Sequence, residues 1–497
     1  MTIQSIFNWL ADGMKWIGDN LLIINILLSI VIIFFERRDP KSVWAWLLLL
    51  YSIPIVGIVF YFILGQDFKK SRMFRIKEVE DAISSEIRHQ EQDIAEKRIP
   101  KLEGEYKEYE DIVIYNLSAD SAVFTADNQV ELYTDGMEKF RALAEELKKA
   151  EKFIHLQYYI IKPDEAFDLI RPILETKAKQ GVEVRILYDS MGCRSMRERH
   201  WKALRAAGIQ TAEFFPAFLK KLQLRINYRN HRKLVIIDGR VGFVGGFNIG
   251  REYLGMDDYF QYWRDTHLKI SGGAVVALNL RFMLDWNFAA KENLSLDNYF
   301  AEVEKTSKLS GYSFENVGIQ IISSGPDSMQ PNIRNNYIRL IHKARHHIYI
   351  QTPYFIPDEA MLNALQIVSK SGVDVRVMIP CKPDHMFVYW ATYSYINDLL
   401  EAGVKCYTYN AGFLHAKGVS IDGIVSCFGT ANMDIRSFQL NFEVNAVIYD
   451  KQVSEELDRR FEKDLEECTL ITSLEYGKRS RLIRIKEQVC RLLSPIM

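Results

Sequence analysis

The longest uninterrupted apolar runs of the chain lie near its N-terminus. Leu21 to Phe35 (LLIINILLSIVIIFF) is a fifteen-residue uncharged run, and Val43 to Leu64 (VWAWLLLLYSIPIVGIVFYFIL) is a twenty-two-residue one. At about 1.5 Å per helical residue the second spans ~33 Å, enough for a ~30 Å hydrocarbon layer. The first reaches only ~22 Å and needs flanking residues or a thinned bilayer. The polar link Glu36-Arg-Arg-Asp-Pro-Lys-Ser42 is short, which predicts a helical hairpin over 20–65. A cleaved signal peptide does not fit, because MTIQSIFNWLADGM carries no early basic residue and a second apolar run follows at once. A buried core hairpin is the alternative. Within 1–19, Ile3, Ile6, Phe7, Leu10, Met14 and Ile17 recur at helical spacing beside Trp9 and Trp16, predicting an amphipathic helix at a membrane interface.

After the hairpin the pattern changes twice. Residues 66–115 are rich in Glu, Lys and Arg with sparse apolar positions, and read as a charged helical connector. From about 116 onward short β-rich runs such as VRILYD and VRVMIP alternate with helical stretches such as Met137–Glu151 and Glu359–Ser371. The alternation then repeats itself. Phe153–Asp164 (FIHLQYYIIKPD) matches His347–Asp358 (HIYIQTPYFIPD), Gly181–Ile186 matches Gly372–Val377, and Ala207–Ile209 matches Ala402–Val404. A period near 190 residues is domain-sized, so the chain divides into two halves of similar α/β fold, 116–308 and 309–497, each with a mixed sheet.

Composition adds exclusions. With 63 Lys+Arg against 64 Asp+Glu in 497 residues, the net charge of -1 gives no whole-chain reason to expect nucleic acid. The even balance hides local bias, since Lys69, Lys70, Arg72, Arg75 and Lys77, with Lys15, outnumber Arg37, Arg38 and Lys41 of the turn. The positive-inside rule then places both ends of the hairpin in the cytoplasm, with the bulk of the chain. Six scattered cysteines and no carboxylate cluster point to neither a disulfide framework nor a metal site, and no cofactor is expected.

The duplicated element that carries chemistry is His231-Arg-Lys233-Leu-Val-Ile-Ile-Asp238-Gly239, continuing to Gly245 and Asn248. Its second copy is His415-Ala-Lys417-Gly-Val-Ser-Ile-Asp422-Gly423, continuing to Gly429 and Asn432. All spacings agree between the copies. His and Lys at i and i+2 of a strand share a face, so both meet one ligand. An ammonium and an Asn amide can orient phosphate oxygens while an imidazole attacks phosphorus or moves a proton. Asp-Gly is a strong hairpin signal, so Asp238 and Asp422 read first as turn residues, with direct chemistry as the alternative. Asp265 and Glu443 are candidates to orient the histidines: Asp265 for His231 and Glu443, twenty-eight residues beyond it, for His415.

The paired motifs resemble the H-x-K-x4-D-x6-G-x2-N signature of the phospholipase D superfamily. With the N-terminal apolar runs, Ser323-Ser-Gly-Pro-Asp327 and Arg491-Leu-Leu-Ser-Pro495, the whole chain is similar to bacterial cardiolipin synthases of the two-motif type. The resemblance implies an α/β fold class: an N-terminal transmembrane hairpin and two duplicated phospholipase D-like domains sharing one active site in the bacterial plasma membrane. It also implies that two phosphatidylglycerol molecules give cardiolipin and glycerol without a metal. Carried onto this chain, His231 is the phosphohistidine nucleophile and His415 the general acid/base. Lys233, Lys417, Asn248 and Asn432 hold phosphate oxygens, and Asp238 and Asp422 complete the motifs.

Two further stretches bear on lipid access. Phe214–Arg225 (FFPAFLKKLQLR) reads either as a seat in an anionic lipid surface or as a loop packed on its own domain. Leu482, Ile485, Val489, Leu492 and Leu493 share a helical face ringed by arginines, which suits a peripheral membrane helix or packing on the second half.

Overall fold

The computed structural model describes residues 19–35, 40–64, 104–215, 228–295, 299, 313–328 and 330–494. The expected interfacial helix, most of the charged connector, the basic part of the Phe214–Arg225 stretch and the junction of the halves near 308 lie outside them. The chain forms two compact units. One contains the N-terminal helices and residues from Gln488 on, and the other the duplicated body.

In the first unit, helix Leu21–Ile30 runs into a π-helical turn at Val31–Phe35, and helices Pro40–Ser52 and Pro54–Leu64 follow. Pro54 offers no N–H and its ring opposes the preceding turn, so the twenty-two-residue run is broken at Ile53. Ile32, Trp46, Leu50 and Tyr61 form a small core, with the Trp46 and Tyr61 rings edge to face at 5.6 Å. The Asn25 amide donates to the Leu50 carbonyl at 3.0 Å and so ties the first helix to the second. Most of the remaining surface is apolar and exposed, including Leu22, Ile23, Leu27, Phe34, Trp44, Leu48 and Ile55. No helix among the described residues is long and apolar enough to cross a membrane.

The body is built on strands β1 (Phe124–Tyr133), β2 (Phe153–Tyr158), β3 (Glu183–Asp189), β4 (Gln210–Phe214), β5 (Arg229–Asn230), β6 (Leu234–Ile237), β7 (Val241–Gly245), β8 (Tyr262–Arg264), β9 (His267–Ser271) and β10 (Ser313–Ser324). They continue with β11 (His347–Gln351), β12 (Phe355–Ile356), β13 (Asp374–Pro380), β14 (Lys405–Tyr409), β15 (Gly412–Leu414), β16 (Gly418–Ile421), β17 (Val425–Gly429), β18 (Met433–Asp434), β19 (Asn441–Tyr449) and β20 (Cys468–Ile471). β1 and β10 pair antiparallel at the centre of one continuous sheet, with Phe124 opposite Gln320. Outward from them the order β9-β7-β6-β2-β3-β4 on one side repeats as β19-β17-β16-β11-β13-β14 on the other. β2-β3-β4 and β11-β13-β14 are parallel and the rest of this path antiparallel, so both halves have the mixed sheet that the internal repeat predicts.

Helices close both faces. Asp135, Asp358 and Asp450 cap the helices Gly136–Lys148, Glu359–Lys370 and Lys451–Leu465 by accepting backbone N–H bonds. Helix Ala274–Ala290 lays Val275, Leu278, Phe282 and Trp286 against a core that includes Val130 and Ile270 of one half and Ile319 and Val444 of the other. Each such large side chain contributes about 1.5–3 kcal/mol by leaving water, so this helix staples the halves together.

The Asp-Gly pairs close the hairpins β6-β7 and β16-β17. Asp238 and Gly239 have φ of 53° and 67°, Asp422 and Gly423 of 54° and 65°, the left-handed pair a tight hairpin needs. The Asp238 carboxylate accepts the N–H groups of Glu151, Lys152 and Phe153 at 2.7–2.8 Å, and Asp422 those of Arg345, His346 and His347 at 2.7–2.8 Å. Both carboxylates thus do the turn-closing work that the Asp-Gly signal predicts first for them. Four-residue β6 and β16 put about 13 Å between these turns and the His-Lys segments, and the three N–H groups that each carboxylate binds belong to the bend that leads into β2 or β11 and to that strand's first residue. Asp238→Ala leaves those donors without partners, so stability falls by about 2–3 kcal/mol, read as a lower Tm, with turnover per folded molecule retained. Lost turnover at an unchanged Tm would return Asp238 to the chemistry.

Candidate active site

The His-Lys segments are extended links between strands rather than strands themselves. Each is carried onto the other half. β5 pairs parallel with β19, Arg229 opposite Asn441 and Asn230 opposite Phe442, and the His231 N–H donates to the Phe442 carbonyl at 3.0 Å. β15 pairs parallel with β8, Phe413 opposite Trp263 and Leu414 opposite Arg264, and the His415 N–H donates to the Arg264 carbonyl at 2.7 Å. One step further along each ladder brings a carboxylate level with each imidazole. His231 Nδ1 lies 2.9–3.0 Å from the Glu443 carboxylate, and His415 Nδ1 lies 2.5 Å from Asp265 Oδ2. The expected pairing is therefore reversed, because each histidine is oriented by the half that did not supply it.

Both carboxylates are fully buried and further satisfied. Glu443 accepts from Thr430 Oγ1 at 2.6 Å and Asn441 Nδ2 at 3.2 Å, and Asp265 from the Thr266 N–H at 2.8 Å. Burial alone would raise their pKa values. Contact with His231 and Lys233 outweighs it for Glu443, as Lys417 and His415 do for Asp265, and both stay ionised. Burial pushes His231 down to about 4 and His415 down to about 3, so both imidazoles rest neutral. With Nδ1–H donated to the carboxylate, each Nε2 keeps its lone pair. Lys233 Nζ donates to the His231 carbonyl at 2.6 Å, and Lys417 Nζ to the His415 carbonyl. Burial pushes Lys417 down to about 8 and holds Lys233 well below the ordinary lysine value. Lys233 is acted on by Lys417, Glu443 and Asp265, and Lys417 by Asp265 and Glu443, so both motifs belong to one centre of two ammoniums and two carboxylates.

The motif glycines make room for the carboxylate strands. A Cβ on Gly245 would sit 2.5 Å from the Thr266 carbonyl oxygen, and one on Gly429 2.3 Å from that of Val444. On Gly246 it would meet Asp265 Oδ1 at 1.9 Å, whereas its counterpart Thr430 supplies the hydroxyl that Glu443 accepts. Asn248 is committed to the scaffold, accepting from the Ile160 N–H at 3.1 Å and donating to the Tyr253 hydroxyl at 2.7 Å. Asn432 Oδ1 is buried and has no donor among the described residues. Two aromatic walls escaped the sequence reading: Tyr159, edge to face with His231 at 5.0 Å, and Trp263 with Tyr253 beside His415 at 5.0 and 6.1 Å. Neither wall repeats between the halves, so the duplication gave no signal for them. Among the described residues no three His, Cys, Asp or Glu side chains gather in a metal-binding arrangement.

Residues 143–261 and 337–465 match the family described as "Cardiolipin synthase, PLD-like domain", and residues 23–66 match "Phospholipase_D-nuclease N-terminal". The chain is 47% identical over 478 residues to the "Major cardiolipin synthase ClsA" of Bacillus subtilis (strain 168), covering 96% of this chain and 98% of that one. The chain belongs to the cardiolipin synthase family. A "Cardiolipin synthase" of Oceanobacillus iheyensis is 46% identical over 482 residues, covering 96% of this chain and 98% of that protein. The phosphatidylserine synthase of Haemophilus influenzae Rd KW20 superposes with a TM-score of 0.58 at 14% identity, over 77% of this chain and 99% of that one, a likeness of fold. The cardiolipin synthase segments contain His231, Lys233, His415, Lys417 and Glu443, while Asp265 falls just beyond the first of them.

The neutral histidines have a stability signature. Their folded pKa values lie below the ~6.5 of an unfolded histidine, so between pH 6.5 and about 3 the unfolded chain binds more protons and stability falls with falling pH. The Tm of the protein should drop across this window, and drop less steeply with His231→Gln and His415→Gln combined. Identical slopes would show that these imidazoles are not buried neutral.

Proposed function

We propose that the protein joins two phosphatidylglycerol molecules into cardiolipin and glycerol, through a lipid-phosphate held covalently on His231. The observation that carries this reading is the pair of carboxylate-held imidazoles, each acted on by the lysine of the other motif as well as its own. Lys233 and Lys417 seat the phosphodiester of the first lipid, and its negative charge favours imidazolium at His415. His231 Nε2 attacks phosphorus, the bond to the glycerol headgroup breaks, and His415 gives that oxygen a proton. Glycerol leaves. A hydroxyl of the second phosphatidylglycerol then passes its proton to His415 and attacks phosphorus, and the P–N bond breaks. Covalent relay replaces one hard displacement by two easier ones, with both reacting partners held in place. Asn432, seventeen residues beyond His415 as Asn248 is beyond His231, is the candidate to donate its amide N–H to a phosphate oxygen, and Asn248 acts through the Tyr253 hydroxyl it holds.

The N-terminal helices serve as a membrane anchor, with both ends on the cytoplasmic side. Support comes from exposed apolar side chains of these helices, among them Leu22, Ile23, Leu27, Trp44, Leu48, Ile55 and Phe60, which water would not stabilise. Helix Arg481–Leu493 likewise exposes Leu482, Ile485, Val489 and Leu492, which favours a lipid-facing helix over one packed by that face on the second half. Exposed Met386 and Phe387 begin helix Met386–Glu401 and offer further acyl contacts.

Purified full-length protein in mixed micelles with phosphatidylglycerol should release cardiolipin and glycerol in equal amounts. His231→Ala and His415→Ala should each lose about 10³-fold or more, and acid quenching of the wild type should trap lipid-phosphate on His231. Phosphatidic acid as the main product would make the protein a hydrolase, and full activity of either variant would end the two-histidine mechanism.

A further inference from the structure

Behind each held histidine runs a second, buried contact between the halves. Arg232 lies between His231 and Lys233, and alternation along the extended link turns its side chain away from theirs. Its Nη1 donates to Asp285 Oδ1 at 2.6 Å and its Nε to the carbonyl of Glu443 at 3.2 Å. Gln157 Nε2 at 2.6 Å and Asn230 Nδ2 at 2.8 Å donate to the other oxygen of Asp285. At the second histidine, Arg264 Nε donates to Asp464 Oδ2 at 2.8 Å, and its Nη1 to the carbonyl of Asp265 at 2.5 Å and to Thr266 Oγ1 at 3.2 Å. Gln351 Nε2 donates to the same oxygen of Asp464 at 2.8 Å. In both places a guanidinium joins an aspartate to the backbone carbonyl of the residue whose carboxylate holds the imidazole.

The parts of the two bridges match, with one exception. Gln157 and Gln351 occupy the same place in the repeated strands FIHLQ and HIYIQ, and Asp285 and Asp464 lie on the helices Ala274–Ala290 and Lys451–Leu465 that follow the equivalent strands β9 and β19. The half that supplies a histidine thus also supplies the aspartate and the glutamine. The arginine comes from different strands. Arg232 follows one motif histidine where Ala416 follows the other, and Arg264 precedes Asp265 where Phe442 precedes Glu443. The first bridge therefore crosses between the halves at the Arg232–Glu443 contact, and the second at the Arg264–Asp464 contact. Arg232 and Arg264 are both buried, and a buried guanidinium–carboxylate pair gains little stability over apolar side chains of the same volume. Its recurrence from a different strand ties its duty to where the guanidinium sits.

We propose that Arg232 and Arg264 are positioning residues that fix the orienting carboxylates against the imidazoles, Arg232 acting through Glu443 on His231 and Arg264 through Asp265 on His415. The imidazole engages the side chain of the orienting residue while the guanidinium holds its backbone, so the short Nδ1 contacts persist only with the carboxylate strand kept in place. A guanidinium suits this task because its planar fork gives one N–H to the aspartate and another to the carbonyl at once. A lysine ammonium is a single point on a flexible stem. The effect on rate rests on the transfer reading above, and the effect on the imidazoles stands apart from it.

The test uses full-length Arg232→Lys and Arg264→Lys, which keep a positive charge beside Asp285 and Asp464, and NMR on ¹⁵N-histidine protein. Arg264→Lys should shift the Nδ1 signal of His415 and leave His231 in place, and Arg232→Lys should do the reverse. In mixed micelles with phosphatidylglycerol each variant should lose about tenfold or more in kcat for cardiolipin formation at an unchanged KM. Ring signals that stay in place in both variants, or that move at both histidines in either one, make the arginines parts of the scaffold alone and overturn the proposal. A wild type that makes no cardiolipin overturns the transfer reading and leaves the ring signals to decide the positioning. Coupling is reciprocal, so a second measurement stands whether or not the lysine variants fold. His415→Ala should shift the guanidinium ¹⁵N signals of Arg264 and leave those of Arg232, and His231→Ala the reverse. Guanidinium signals that stay in place in both overturn the proposal as well.

Discussion

Each histidine of the site is held by a carboxylate from the opposite half, and the architecture follows from that constraint. An imidazole with Nδ1–H donated to Glu443 or Asp265 presents a bare Nε2, the form that can attack or take a proton. Burying such a pair is costly unless every remaining lone pair is met, and removing one partner costs about 3–5 kcal/mol. Thr430, Asn441 and the Thr266 N–H meet them here. The antiparallel β1-β10 pairing and the helix Ala274–Ala290 hold the halves in register, and short parallel ladders carry each His-Lys segment across. One half alone would hold a histidine without its carboxylate.

Much of this was legible in the sequence. The strands matched by the repeat, FIHLQY with HIYIQ and EVRILYD with DVRVMIP, occupy equivalent places in the sheet. Equal spacing identified both His-Lys pairs and both Asp-Gly hairpins, because local turn chemistry and period-two alternation are written into adjacent residues. The partners of the histidines were not legible. Asp265 and Glu443 could be named as carboxylates, but proximity along the chain suggested the pairing within each half, and only parallel pairing across the halves reverses it. The apolar N-terminus shows a similar limit. Run length ignores Pro54, which divides the longer run between the helices Pro40–Ser52 and Pro54–Leu64.

The two copies agree where geometry is common and diverge where roles differ. Gly245 and Gly429 are both required by the close carboxylate strand, while Gly246 yields space to a short Asp265 and Thr430 supplies a hydroxyl to a longer Glu443. On either side of this shared frame stand different walls: Tyr159 at His231, Trp263 and Phe413 at His415.

The crossed pairing is tested most directly by the ring nitrogen resonances of the histidines, followed by NMR on ¹⁵N-histidine protein with Glu443→Gln and with Asp265→Asn. Glu443→Gln should shift the Nδ1 signal of His231 and leave His415 in place, and Asp265→Asn should do the reverse. A shift of His415 in Glu443→Gln and of His231 in Asp265→Asn would mean that each half orients its own histidine, and would contradict the account.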